Sequence, residues 1–247
     1  MAYGKRTEIS RPSDHQLITA CNRWAICYLA SLESVLLSAF LTLGIPMPVI
    51  PFVSPKGGSG KSTSALLLAT FLTKFYDVTI IDADPIRVVS RWASGGNKPD
   101  RLTVISDVDE DTIEERIEDA ASKTQVVIVD LEGTAAKIVL HAIAQADFVV
   151  IPMQGAHEDA IAASMAVGVI LETEMRLGRP IPYSVLFTRT SLTIRSQIFT
   201  YIYKSVVNAG VPIFKTELNE RDAYKAILAG CGKSRSDGEI RLVELLF

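Results

Sequence analysis

The feature that most constrains this chain is a glycine-containing loop placed between an apolar run and a helical pattern. The loop, residues 54–63, has the sequence SPKGGSGKST; the apolar run VIPFV precedes it and SALLLATFL follows it. Strand, glycine loop and helix in this order form the context in which such a loop binds phosphate groups. The alternative is an ordinary glycine-rich turn with a chance Gly-Lys-Ser, which the flanking patterns disfavour.

Each residue type in the loop has a physical reason to be there. Its three glycines let backbone N–H groups turn toward phosphate oxygens, and the N-terminus of the following helix adds a partial positive charge. We expect Lys61 to reach the β- and γ-phosphates of ATP and the Ser62 hydroxyl to bind Mg²⁺. The predicted nucleotide-binding residues are Lys56, Gly57, Gly58, Ser59, Gly60, Lys61, Ser62 and Thr63.

Two aspartate motifs follow the loop, and each closes an apolar run. Asp82 and Asp84 end the run that begins at residue 78, and Asp130 ends the run that begins at residue 126. Ligand sites of α/β proteins lie at the carboxyl ends of strands, where an aspartate typically holds Mg²⁺ directly or through water. A strand-end aspartate can also cap a loop, but the three motifs in this order favour a Mg-nucleotide site.

Short β-branched runs alternate with helical patterns from residue 48 onward, which predicts a parallel sheet with crossover helices. The expected strands are residues 49–53, 78–81, 102–105, 126–129, 148–151, 184–187 and 212–214. The expected helices are residues 61–75, 111–123, 135–144, 159–176, 195–209 and 220–228. We therefore expect an α/β fold of three layers, a mostly parallel twisted sheet with helices on both faces, as in P-loop NTPases.

The expected helix 195–209 has a distinct apolar stripe. Ile198, Ile202 and Val206 repeat every four residues, with Phe199 and Tyr203 beside them. This spacing predicts that the stripe packs inward. The basic residues of this helix would then point outward.

Charge is distributed unevenly along the chain. Residues 77–174 carry 19 acidic and 7 basic side chains, whereas residues 176–247 carry 11 basic and 6 acidic ones. A basic C-terminal third fits a surface that meets a polyanion, but the charge count alone favours ordinary solvated helix faces. The candidate contacts on a surface that meets a polyanion are Arg189, Arg195, Lys204 and Lys225.

The motifs resemble those of the ParA/MinD family of deviant Walker-A ATPases. The strings that carry the resemblance are KGGSGKST, DADP and IVD, joined by IPMQ and ERDAY farther along the chain. The similarity covers about residues 48–228, and short plasmid-partition ParA proteins are the most similar members. Pro55 departs from the plain pattern G-x-x-x-x-G-K-[ST], since it stands at the first glycine position.

This resemblance implies an ATP-dependent homodimer that binds DNA nonspecifically and drives plasmid or chromosome partition. Lys56 would reach the ATP of the partner subunit, Asp84 would orient the attacking water, and Lys61 would complete the catalytic set. Asp82 and Asp130 would serve the Mg²⁺ shell. Weak intrinsic ATP hydrolysis would be stimulated by a ParB-like adaptor, and the protein would be cytoplasmic and nucleoid-associated.

The two ends of the chain do not follow the pattern of the middle. We expect residues 47–229 to form the ParA-type domain, residues 1–46 to be an apolar extension and residues 230–247 to be a short tail. Residues 24–43 match a membrane span in length, but a central Glu33 is unfavourable by ~2.5–3.5 kcal/mol on insertion scales. A non-native extension, a packed helix and a membrane anchor therefore stay open, in that order of preference.

Three other functions compete with DNA partition. A MinD-like positioning ATPase would need a membrane anchor, either residues 24–43 or an amphipathic segment at residues 238–247. An iron–sulfur reductase subunit would need cysteines in the domain body, but the three cysteines are Cys21, Cys27 and Cys231. A decayed nucleotide-binding remnant is the non-enzymatic alternative.

Overall fold

A computed structural model describes residues 48–96, 98–133, 136–191 and 195–220. The strands of this part are β1 Val49–Phe52, β2 Val78–Ala83, β3 Leu102–Ile105, β4 Val126–Leu131, β5 Val149–Met153, β6 Tyr183–Thr190 and β7 Leu218–Asn219. The helices of this part are α1 Lys61–Leu72, α2 Val88–Ala93, α3 Ile113–Lys123, α4 Ala136–Ala144, α5 His157–Leu177 and α6 Gln197–Asn208. The strands form one parallel sheet in the order β3-β2-β4-β1-β5-β6-β7.

The sheet lies between two apolar layers. One core cluster joins α1 and α2 to one face of the sheet, and a second cluster joins α3, α4, α5 and α6 to the opposite face. Strands β1, β2, β4 and β5 are buried at every position, because helices cover both of their faces. The three-layer α/β arrangement expected from the sequence is therefore confirmed.

One predicted strand was wrong, and one short helix was missed. Residues 212–214 do not form a strand, since only Ile213 makes a single bridge, to Val185. The edge strand is instead β7, a two-residue pair of Leu218 and Asn219, with no apolar run to mark it. The short helix α2 was also missed, because six residues are too few to show a helical period.

The stripe predicted for α6 was partly wrong. Phe199 and Ile202 are buried, but Ile198 is 64% exposed, so the buried face lies one residue away from the predicted one. The helix begins at Gln197 behind the Ser196 cap, which leaves Arg195 on the preceding loop. Lys204 is exposed on α6, as expected.

Some expectations fall on residues that the structure does not describe. These are the apolar stretch 24–43, the segment 238–247, the helix beyond residue 220, the three cysteines and the DNA candidate Lys225. In the described ranges, no helix combines the length and hydropathy needed to cross a bilayer.

Candidate nucleotide-binding site

The glycine loop joins β1 to α1 through left-handed backbone positions. Gly58 and Gly60 have φ angles of +76° and +98°, where any larger side chain is strained. A Cβ on Gly60 would also lie 3.2 Å from the Thr188 side chain. Thr188 Oγ1 donates to the Ser59 carbonyl oxygen at 2.6 Å. The end of β6 thus supports the loop where it enters the N-terminus of α1, a backbone arrangement that favours anions.

Lys61 is the first residue of α1 and is buried against the loop. Its Nζ donates to the carbonyl oxygen of Ser54 at 3.1 Å and to that of Lys56 at 3.3 Å. Burial lowers the pKa of Lys61, while carboxylates that follow β2 and end β4 act in the opposite direction. The ammonium group therefore lies between the loop backbone and a set of acidic side chains.

Parallel pairing of β2 with β4 sets Asp82 opposite Asp130. Both side chains are fully buried. Asp82 Oδ2 accepts hydrogen bonds from the Ser90 N–H at 2.8 Å and the Ser90 hydroxyl at 2.6 Å. Among the described residues, Asp82 Oδ1 and both oxygens of Asp130 have no hydrogen-bond partner of ordinary geometry. Burial raises the pKa of Asp130 to about 7, and the Ser62 hydroxyl, which approaches outside that geometry, opposes the rise.

These oxygens fit a hard cation. Buried carboxylate oxygens without partners are unfavourable unless a positive charge or a donor compensates them. Mg²⁺ in nucleotide sites usually takes one or two carboxylates and completes its shell with phosphate oxygens and water. Asp82, Asp130 and the Ser62 hydroxyl are donors of that kind. The described ranges hold no group of three or more His, Cys, Asp or Glu side chains arranged to hold a metal ion unaided.

Asp84 lies one residue beyond β2, at the partly exposed mouth of the site. Its Oδ1 accepts a hydrogen bond from the Ile86 N–H at 2.8 Å, which closes a tight turn before α2. Arg87 then adopts a φ of +54° and donates to the Asp82 carbonyl oxygen. The turn fixes one carboxylate oxygen of Asp84, and no hydrogen bond from another described residue reaches the other oxygen.

Lys56, which was expected to act on the partner's nucleotide, is engaged within its own chain. Its Nζ lies 2.8 Å from Asp159 Oδ2, and the two side chains are 35% and 1% exposed. Asp159 is in the first turn of α5, where the helix dipole favours a carboxylate. Its Oδ1 is buried without a hydrogen-bond partner among the described residues, so Lys56 is the main compensation for this buried charge.

Two of the basic residues expected to contact DNA line one cavity. Arg189 and Arg195 border a space of about 260 Å³ between the ends of β5 and β6 and the start of α6. Arg195 pairs with Glu217 at 2.7 Å and stacks 5.1 Å from the centre of the Phe199 ring. Arg189 is exposed with a φ of +52°, and no hydrogen bond or ion pair joins it to another described residue.

Several contacts of the site were missing from the sequence-based prediction. Gln154 Nε2 donates to the Gly58 carbonyl oxygen at 2.8 Å. Gln154 belongs to the string IPMQ, but the sequence did not predict this contact. Asp159 is 103 residues from Lys56, and no local pattern marks such a pair. Glu132, two residues after Asp130, also acts on Lys61. Its position in a strand-end segment was the signal that could have found it.

Comparison with known proteins identifies a family. Residues 47–232 match the sequence profile of the VirC1 protein family. The chain is also 42% identical over 191 residues to Protein ParA from Rhizobium radiobacter, a match that covers 77% of this chain and 86% of that protein.

Solved structures match the same fold. Apo McdA from Cyanothece gives a TM-score of 0.62 at 17% identity, covering 74% of this chain and 90% of that one. A plasmid partition protein from Borrelia burgdorferi bound to AMPPNP gives a TM-score of 0.59 at 17% identity, covering 80% and 95%. At these identities the similarity concerns the fold, and it confirms the P-loop NTPase architecture.

Proposed function

The chain belongs to the VirC1 family of ParA-like proteins, and on this basis we propose that it is a Mg-ATP-dependent ATPase of the plasmid-partition type. The observation that carries the proposal is the meeting of three groups at the glycine loop. These are the ammonium of Lys61, the unpaired oxygens of Asp82 and Asp130, and the N-terminus of α1. Together they match the charge and ligand needs of a metal-bound triphosphate.

ATP is the nucleotide that the comparisons favour, since a structural neighbour holds its analogue AMPPNP. Lys61 would leave the loop carbonyls for the β- and γ-phosphates, while Ser62, Asp82 and Asp130 hold Mg²⁺. When bound, the metal neutralises charge that develops on the transferred phosphoryl group. Asp84, at the mouth of the site, would orient the attacking water. The products are ADP and inorganic phosphate.

We further propose that nucleotide binding is coupled to formation of a homodimer. Lys56 would then exchange its contact with Asp159 for the ATP of the partner subunit, as in a deviant Walker-A loop. The exchange is physically feasible because Lys56 is partly exposed whereas Asp159 is buried. An ATP-bound dimer would pair two weak basic surfaces on nucleoid DNA. A ParB-like adaptor would stimulate hydrolysis and release the dimer.

Calorimetric titration of Mg-ATP and Mg-AMPPNP into the full chain tests the nucleotide site. The parent should bind both nucleotides, and Lys61→Ala should lose roughly 10- to 150-fold in affinity, since a charged hydrogen bond contributes about 1.5–3 kcal/mol. Lys215→Ala is the matched control, because Lys215 is exposed and lies outside the site. Equal affinities of the parent and Lys61→Ala would refute the assignment of the loop.

A further inference from the structure

Glu132 lies at the nucleotide site but has no role in the functions assigned so far. It stands one residue beyond the end of β4, just as Asp84 stands one residue beyond the end of β2. The registers of the two strands are aligned, with Asp82 opposite Asp130 and Ala83 opposite Leu131. Continuing that register by one residue places Asp84 and Glu132 at the same level of the sheet edge.

The strand ends therefore carry two levels of carboxylates. The inner level, Asp82 and Asp130, is fully buried and has unpaired oxygens. The outer level, Asp84 and Glu132, is partly exposed. The unpaired buried oxygens of the inner level fit a metal ion, and the partly exposed outer level lies nearer to solvent.

The residue after Glu132 lies in close backbone contact with the glycine loop. A Cβ on the next residue, Gly133, would lie 3.0 Å from the carbonyl oxygens of both Ser54 and Pro55, so a larger residue would crowd the loop backbone. Ser54 is also the residue whose carbonyl oxygen accepts the Lys61 ammonium. The backbone after Glu132 therefore lies against the loop segment that also contacts Lys61, and Glu132 is one of the carboxylates that act to raise the pKa of Lys61.

We propose that Glu132 is a second catalytic carboxylate, which orients the attacking water together with Asp84. An attacking water has two O–H bonds, and its lone pair is aimed best when both bonds have an acceptor. One oxygen of Asp84 is already occupied by the Ile86 N–H, so Asp84 offers the water one free oxygen and Glu132 supplies the second acceptor. This inference rests on the proposed ATP hydrolysis.

The reaction step balances with these groups. The water oxygen forms the new bond to the γ-phosphorus, and the bond from that phosphorus to the β–γ bridging oxygen breaks. The bonding electron pair leaves with ADP, and the water proton ends on the inorganic phosphate. Phosphoryl transfer passes through a loose transition state, so the carboxylates are needed mainly to aim the water.

The test uses Glu132→Ala and Glu132→Gln in the full chain. Glu132→Ala should reduce the turnover number roughly 100-fold, the cost of a water misplaced by about 1 Å. Affinity for Mg-AMPPNP should stay within about twofold, because the ground state does not need the water. Affinity for Mg-ADP with aluminium fluoride should fall roughly in proportion to turnover, since this complex mimics the transferred phosphoryl group. Glu132→Gln keeps the side-chain size and should lie between Glu132→Ala and the parent.

A double variant and a control sharpen the result. Adding Asp84→Ala to Glu132→Ala should reduce turnover little beyond the larger of the two single effects, because both groups act on one water. Glu118→Ala, an exposed glutamate on α3, should behave as the parent.

The outcomes separate this inference from the proposed function. If the parent does not hydrolyse ATP, the proposed function and this inference both fail. If the parent hydrolyses ATP and Glu132→Ala matches it, the role of Glu132 is overturned and the proposed function stands. A loss of Mg-AMPPNP affinity equal to the loss of turnover would likewise overturn it, since Glu132 would then serve ground-state binding. A lowered melting temperature with normal turnover per folded molecule would assign Glu132 to structure.

Discussion

Two regions of this molecule carry charge in different ways. One is the phosphate side, formed by the glycine loop with Asp82 and Asp130, and the other is the β5–β6 side, the cavity bordered by Arg189 and Arg195. On the phosphate side, parallel register buries Asp82 and Asp130 as neighbours, and backbone contacts fix the loop beside them. On the β5–β6 side, Arg189 and Arg195 are exposed on irregular backbone. Buried charges are unfavourable unless a ligand or a counter-charge compensates them. Exposed charges contribute little stability by themselves. The phosphate side is therefore suited to one specific ligand, whereas the β5–β6 side is compatible with many different partners.

Among the variants that still bind nucleotide, Asp84→Ala should show the largest effect. Turnover should fall by roughly 10²–10⁴-fold, the range for a positioned catalytic carboxylate. Mg-AMPPNP binding should persist, because the metal ligands of the inner level are unchanged. Steady-state phosphate release and calorimetry measure the two quantities. Unchanged turnover would move the water-positioning role to another residue.

Asp130→Asn tests whether the buried carboxylate of Asp130 binds Mg²⁺ at the expense of stability. Mg²⁺ affinity in the presence of nucleotide should fall roughly 10–100-fold, as for altered metal shells. Without ligand, the same variant should gain stability relative to the parent as pH rises. The pKa of Asp130 is raised to about 7 from its ordinary value of 3.8. The favourable contribution of the protonated side chain to the free energy of unfolding is therefore complete below pH 3.8 and is lost by about pH 7.

Melting temperatures from pH 4 to pH 8 measure this second effect. The parent should lose stability relative to Asp130→Asn across that window, and the difference should level off above about pH 7. A pH-independent difference would contradict the assigned ionisation. Asp119→Asn, on the exposed pair with Lys123, is a control that should lack the effect.

The Lys56–Asp159 pair links the two regions, because Asp159 opens the helix that follows β5. Lys56→Ala should lower the melting temperature, since it leaves Asp159 buried without its counter-charge. It should also abolish the ATP-dependent dimer in sedimentation. Asp159→Asn should instead release Lys56 and strengthen that dimer by a few fold, about 1 kcal/mol or less.

The double variant Lys56→Ala with Asp159→Asn separates these roles. It should recover the thermal stability that Lys56→Ala lacks, because no buried charge is left unpaired. It should still fail to dimerise with ATP, because the ammonium is missing. A normal ATP-dependent dimer in either lysine variant would remove the role of Lys56 across the interface.

The smallest effect is expected on the β5–β6 side. Arg189→Gln with Lys204→Gln should weaken DNA binding in the ATP state and reduce the salt slope by roughly 0.9 for each DNA phosphate that is no longer neutralised. Arg195→Gln should weaken it less, because Arg195 is already paired with Glu217. Lys123→Gln, on the acidic part of the chain, is the control. Parental affinity and slope in the double variant would identify an ordinary solvated surface.

The sequence by itself determined the elements that depend on local pattern. Apolar runs predicted the central strands, because strands that are covered on both faces consist almost entirely of apolar residues. The glycine loop and the strand-end aspartates predicted the site, since parallel strands bring their carboxyl ends to one edge. The same reasoning failed at β7 and α2, which are too short to carry a period.

Only the tertiary structure decided which of these residues meet. The pairing of Lys56 with Asp159 joins positions 103 residues apart, and no local signal encodes that distance. The level shared by Asp84 and Glu132 depends on the register between β2 and β4, which side-chain packing sets. The inward face of α6 was displaced by one residue because Phe199 packs against Phe187 with ring centres 5.2 Å apart, while Ile198 remains in solvent.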